Sequence, residues 1–213
     1  MSKINNQTTY SSVTPQGVDY VIGTDVSDLD STKTFEFSNI ASYVKTTFDL
    51  AVTNVLSGFS TSNQEPSGLD IALQVEFGAA QNTGRDPVML AADGTITFNQ
   101  TGLYLINVFA NFERQHIFSV SPSITAWRAL LDGSQIGATK AVLQFAKYPQ
   151  GQGIMFPYEL TVPITIETAG TVLTYEIMRD SSGTDAGGLY IHTILGGWSN
   201  VPSASIDIFK VGI

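Results

Sequence analysis

Residues 95–112 constrain this chain more than any other stretch, because they read as a β-strand that is apolar on both faces. Tyr104, Ile106, Val108, Ala110 and Phe112 recur at every second position, the period of a strand with one buried face. A tight turn over residues 99–102 joins this strand to a shorter one at 95–98. The opposite face should be polar if it meets water, yet it carries Leu103, Leu105 and Phe109, broken only by Asn107 and Asn111. Such a strand belongs in the middle of a three-layer fold or at a contact between subunits.

The rest of the chain favours the second option. From Leu69 to Ile213 the sequence alternates without a helical period. Asp93 and Gly94, Asp132 and Gly133, and residues 168–170 punctuate about eight or nine strands. Regularly spaced short strands between Gly and Asp turns predict an all-β sandwich or barrel. No further helical layer follows that could cover a second apolar face, so a second copy of the molecule is the expected cover.

Upstream, three segments separate. Residues 1–37 are polar, with sparse apolar positions at Val18, Tyr20, Ile22, Phe35 and Phe37, too few to build a core. They are expected to form an extended arm that orders by lying on something else, with Tyr20, Ile22, Phe35 and Phe37 as its anchors. Residues 38–59 carry Val44, Phe48, Ala51 and Val55 at spacings of 4, 3 and 4, with Ser38 or Asn39 as N-cap and Gly58 as terminator. This predicts a short helix or neck where identical helices meet through Val44, Phe48 and Val55. Residues 60–68 read as a linker, and residues 69–213 as the main domain.

Composition narrows the function. Ten Lys and Arg against 19 Asp and Glu give a net charge of −9, with no basic patch. Nucleic-acid binding and attraction to an anionic membrane are thereby disfavoured. Charged residues make up only 14% of the chain, against the ~25% typical of soluble domains. Cysteine is absent, so neither disulfides nor thiolate metal sites are available. No signal peptide and no membrane-spanning run is visible, so the expected route is synthesis in the host cytoplasm and exit within a particle or by lysis.

No catalytic constellation stands out. His116 and His192 are far apart in sequence, and each reads as structural or interfacial. The run Asp25, Asp28, Asp30 lacks the glycine and the terminal glutamate of a calcium loop. No catalytic residue, metal site or cofactor is expected. A pair of distant carboxylates suited to glycoside hydrolysis would have to come together in the fold. Tyr148, Phe156 and Trp198 lie near Gly- and Pro-rich loops and are candidate glycan contacts, whereas Trp127 reads as core.

Thr-Phe-Asn-Gln-Thr-Gly-Leu-Tyr-Leu-Ile at residues 97–106 resembles the signature of the tumour-necrosis-factor/C1q-like superfamily. Ser-Ile-Asp-Ile-Phe-Lys-Val at residues 205–211 resembles that family's last strand. The resemblance covers residues 69–213 and implies a jelly-roll β-sandwich that assembles as a homotrimer, with Leu103, Leu105 and Phe109 at the threefold axis. Residues 19–25 and 34–43 are similar to the openings of tailed-phage structural proteins. Together these resemblances imply a structural virion protein on the particle surface, a capsid decoration (cement) protein or short head fibre held by its N-terminal arm. Its partners would be itself and the major capsid protein or another virion protein. A receptor- or glycan-binding fibre tip on the same architecture is the first alternative, and a particle-borne polysaccharide-degrading enzyme the second.

Overall fold

The computed structural model describes residues 20–25, 31–36, 38, 52–81, 87–114, 122–144 and 155–212; at 20–25, 31–36, 143 and 144 it describes the backbone only. The chain divides into two units, Met1–Leu50 with Ile213, and Ala51–Gly212.

In the first unit, β1 (Tyr20–Asp25) pairs antiparallel with β2 (Ser31–Glu36). This part of the expected extended arm is therefore a two-stranded ladder rather than a lone extended chain. Of the expected anchors, position 20 stands opposite 36, position 22 opposite 34, and position 35 opposite 21. Phe37 lies outside the described residues.

The second unit is all β. Its strands are β3 (Val52–Ser60), β4 (Ala72–Gln74), β5 (Val88–Leu90), β6 (Ile96–Phe98), β7 (Gly102–Glu113) and β8 (Ser123–Leu131), then β9 (Ser134–Gln144), β10 (Phe156–Ile166), β11 (Thr171–Arg179), β12 (Gly188–Leu189) and β13 (Ala204–Val211). One sheet has the order β10-β7-β13-β3, with β12 also on β7. The other has the order β5-β6-β11-β8-β9, with β4 also on β11. The antiparallel pairings nest: β8 with β9, β7 with β10, β6 with β11, and β3 with β13.

The two sheets pack face to face. Tyr104, Ile106, Val108, Ala110 and Phe112 are all buried, as the strand period predicts. Their sheet meets Phe98, Trp127, Leu173, Tyr175 and Ile177 of the other. Edge-on aromatic contacts cross the interior: Phe98 to Tyr104 at 4.8 Å and Phe112 to Trp127 at 6.2 Å between centroids. Trp127 is core, 3% exposed.

The expected helix over 38–59 is corrected at its C-terminal half. Residues 52–60 are β3, an edge strand paired with β13, and only Ser38 of the remainder is described, with helical backbone. Val44 and Phe48 lie outside the described residues. Val55 is 4% exposed inside the sandwich core, so it is not a neck contact. The ladder shifts register between Ile208 and Phe209, where Leu56 and Asn54 are their partners. Val55 is the extra residue of a β-bulge, and consecutive Val55 and Leu56 both reach the core. Nor are residues 60–68 a linker between domains, since Ser60 ends β3 and the whole stretch lies within the second unit. Gln64 is 6% exposed, exchanges backbone hydrogen bonds with Leu189, and grips the backbone of Glu76 through both ends of its side-chain amide.

Candidate functional site

Four strands present the outer face of the first sheet, and the register sorts it into rows. Val52, Val211, Leu103 and Thr165 lie side by side across the sheet, followed by Asn54, Phe209, Leu105 and Pro163. Next comes a polar row of Ser57, Asp207, Asn107 and Thr161, and then Phe59, Ser205, Phe109 and Glu159. Leu103, expected at a subunit contact, is 40% exposed, Phe59 43% and Val52 57%. Leu105, Phe109, Phe209 and Val211 are half-buried. The structure thus brings Leu103, Leu105 and Phe109 onto one face and adds Val52, Phe59, Phe209 and Val211.

Those four were legible in part. Ile206 and Ile208 set the inward parity of the last strand, so Phe209 and Val211 make β13 two-faced in the same way as β7. Asn111 is different. It is fully buried, donates from its side-chain amide to Tyr190 O at 2.7 Å, and is covered by the loop before β13.

The polar row holds a shallow depression of about 290 Å³ lined by Asn107, Phe109, Glu159, Pro202, Ser205 and Asp207. Asn107 donates to Glu159 Oε1 at 3.1 Å, and the Ser57 hydroxyl donates to Asp207 Oδ1 at 2.5 Å. Asn107 Oδ1 is buried without a hydrogen-bond partner. Two carboxylates therefore line one hollow, each tied to a neutral neighbour. Among the described residues no three or more His, Cys, Asp or Glu gather into a group that could hold a metal ion.

The second feature is polar asymmetry along the strands. β3 and β7 begin, and β13 ends, at one pole, where Val52, Val211 and Leu103 are neighbours. The connections 61–71 and 180–203 gather at the other pole. Arg179, 8% exposed, fixes that pole by donating to Gly187 O at 2.7 Å and pairing with Asp185 and Glu65, both at 3.1 Å. Beside it, burial and then the Glu65 charge push the Tyr190 hydroxyl well above the usual tyrosine range.

Of the candidate glycan contacts, Phe156 opens β10 at this pole, 38% exposed, and Trp198 is 79% exposed on the loop before β13. No ring contact joins them among the described residues, and Tyr148 lies outside those residues. Leu195, 89% exposed, shares the loop with Trp198 and escaped the sequence reading, because a lone Leu between Gly and Ile carries no periodic signal. His192 is exposed, and its backbone pairs with Val201; His116 lies outside the described residues.

Fold and face together define an antiparallel β-sandwich whose first sheet carries a part-exposed apolar outer face. No protein-family model and no curated protein matches the chain. Among solved structures, the chain is similar to "Structure of Eiger TNF from S. frugiperda", with 13% identity and a TM-score of 0.46. That match covers 75% of this chain and 92% of the other. The fold described above rests on strand order and register, not on that likeness.

Proposed function

We propose that this chain is a structural protein of a virus particle, a homotrimeric capsid decoration protein or short head fibre. In this reading the sandwich is a jelly roll, with the nested pairing from β8–β9 out to β3–β13 as the support. The observation that carries self-association is the part-exposed apolar face around Leu103, Leu105, Phe109 and Phe209. A face of that kind on a β-protein without disulfides is covered most economically by its own copies. The number three comes from the resemblance of residues 97–106 and 205–211 to a trimeric superfamily. The particle comes from the resemblance of residues 19–25 and 34–43 to phage structural proteins.

Light scattering of the purified chain should give the mass of three subunits. Phe109→Asp and Leu103→Asp should give folded monomers, since both positions are part-exposed in the single subunit. Removing residues 1–37 should leave the trimer intact and abolish particle binding. A stable wild-type monomer overturns the reading, and loss of trimerisation on removal of 1–37 moves the arm's role to subunit exchange.

A glycan-binding fibre tip is the second reading, favoured by the exposure of Trp198, and binding on a glycan array would support it. We assign no enzymatic role to the hollow between Glu159 and Asp207, because it lies on the face proposed to be covered.

A further inference from the structure

The loop between β12 and β13 carries a preorganised apolar knob. Leu195 and Trp198, 89% and 79% exposed, flank Gly196 and Gly197, whose φ values are +93° and +84° with open space where a Cβ would stand. Glycine is needed there for backbone direction rather than for room. The stem below is fixed. His192 and Val201 exchange backbone hydrogen bonds of 3.0 and 2.9 Å, Asn200 Oδ1 accepts from Ile194 N at 3.3 Å, and Asn63 Oδ1 accepts from Ile191 N at 3.0 Å. A Trp and a Leu held into water on a built stem point to a partner that covers them.

Three observations favour a second copy of this chain as that partner. Pro202, at the foot of the stem, lines the hollow in the outer sheet face, so the knob is continuous with the face already read as a contact. The apolar pair Phe59 and Phe109 flanks Ser205, three residues beyond Pro202, on that same face. Between Asp185 and Asp207 there is no Asp, Glu, Lys or Arg, in a chain of net charge −9. Two identical acidic molecules approach at least electrostatic cost along a stretch without charge. We propose that in the assembly each knob crosses to the neighbouring subunit and seats Leu195 and Trp198 against its sandwich. This rests on the outer face being a contact between copies.

The chain has two tryptophans, and Trp127 is 3% exposed, so the knob can be read optically. Acrylamide quenching of the wild-type chain, with Trp198→Phe subtracted as the Trp127 background, reports Trp198 alone. Light scattering on the same samples reports assembly. The expected result is a Trp198 signal protected in the assembled protein and exposed on dilution to subunits. Leu195→Ser and Trp198→Ser should each raise the subunit dissociation constant about tenfold or more, with the monomer's thermal unfolding unchanged. An assembly whose Trp198 is fully quenchable overturns the knob contact alone and leaves the knob open to an outside ligand such as a glycan. A wild-type monomer at every concentration overturns the outer-face reading and the knob contact with it.

Discussion

Replacing Arg179 with Met tests whether the loop pole is held by one buried cation. Arg179 closes β11 and reaches into both long connections of that pole. Its Nε donates to Gly187 O, Nη1 pairs with Asp185 and Nη2 with Glu65. The backbone adds a parallel bridge from Arg179 to Leu69. A charged donor on a buried carbonyl contributes ~1.5–3 kcal/mol. The two carboxylates are 48% and 54% exposed at the side chain, so solvent screening holds each pair to at most ~1 kcal/mol. Methionine restores most of the apolar stem volume, so the cavity cost is small. The sum is about 3 kcal/mol, which for a unit of this size lowers Tm by about 6–12 °C. Circular dichroism melts of wild type and Arg179→Met at low and high salt measure it. Salt should weaken only the smaller, carboxylate share of the difference. A fall below about 2 °C would refute the reasoning, because it would mean that desolvating the guanidinium offsets what its bonds contribute.

Two further outcomes follow from local geometry. Gly94 has φ +86°, and a Cβ there would stand 1.9 Å from Val75 O, whereas Gly133 has φ +77° with nothing within 4 Å. Gly133→Ala should therefore cost only the ~1–2 kcal/mol of a left-handed residue, and Gly94→Ala well beyond it; equal urea midpoints for the two variants would contradict this. Burial pushes the Tyr104, Tyr175 and Tyr190 hydroxyls above their ordinary range, with the Glu65 charge adding to it at Tyr190. The unfolded chain ionises near pH ~10 and the folded one later, so their stabilisation is complete below that pH and declines above it. The urea midpoint should fall steadily from pH 9.5 to 11.5, in step with the tyrosinate absorbance of the unfolded fraction, and a flat profile would count against it.

What could be seen in the chain beforehand depended on how strictly each strand kept its period. β7 keeps it for twelve residues, and its inner face was legible residue by residue. β3 does not. Its bulge inserts Val55 beside Leu56, so the strict alternation of the strand is lost at the point where the sequence pattern suggested a helix. The counter-signal was composition, since Val and Thr suit a pleated strand better than a helix. Between Leu69 and Phe77 the alternation is unbroken in sequence, yet Asp70 adopts φ +59° and only Ala72–Gln74 is strand. Leu69 and Ile71 are exposed as a result, while Val75 and Phe77 are fully buried. Trp198 was legible as a loop aromatic, but the knob it forms with Leu195 was not, for another reason. Its shape comes from two left-handed glycines and a stem hydrogen-bonded to residue 63, a contact no local pattern encodes.

The polar row across the outer face bears directly on how copies could meet. A face apolar from pole to pole would accept many registers of self-association, since burial of apolar area is not directional. Ser57, Asp207, Asn107 and Thr161 interrupt it with groups that must keep hydrogen bonds or water. Covering that row with apolar surface leaves polar groups unpaired at a cost of ~1–3 kcal/mol each. In the proposed assembly, only arrangements that set polar row against polar row, or keep the hollow hydrated, avoid that cost. The apolar rows on either side then supply affinity, and the polar row between them sets the register.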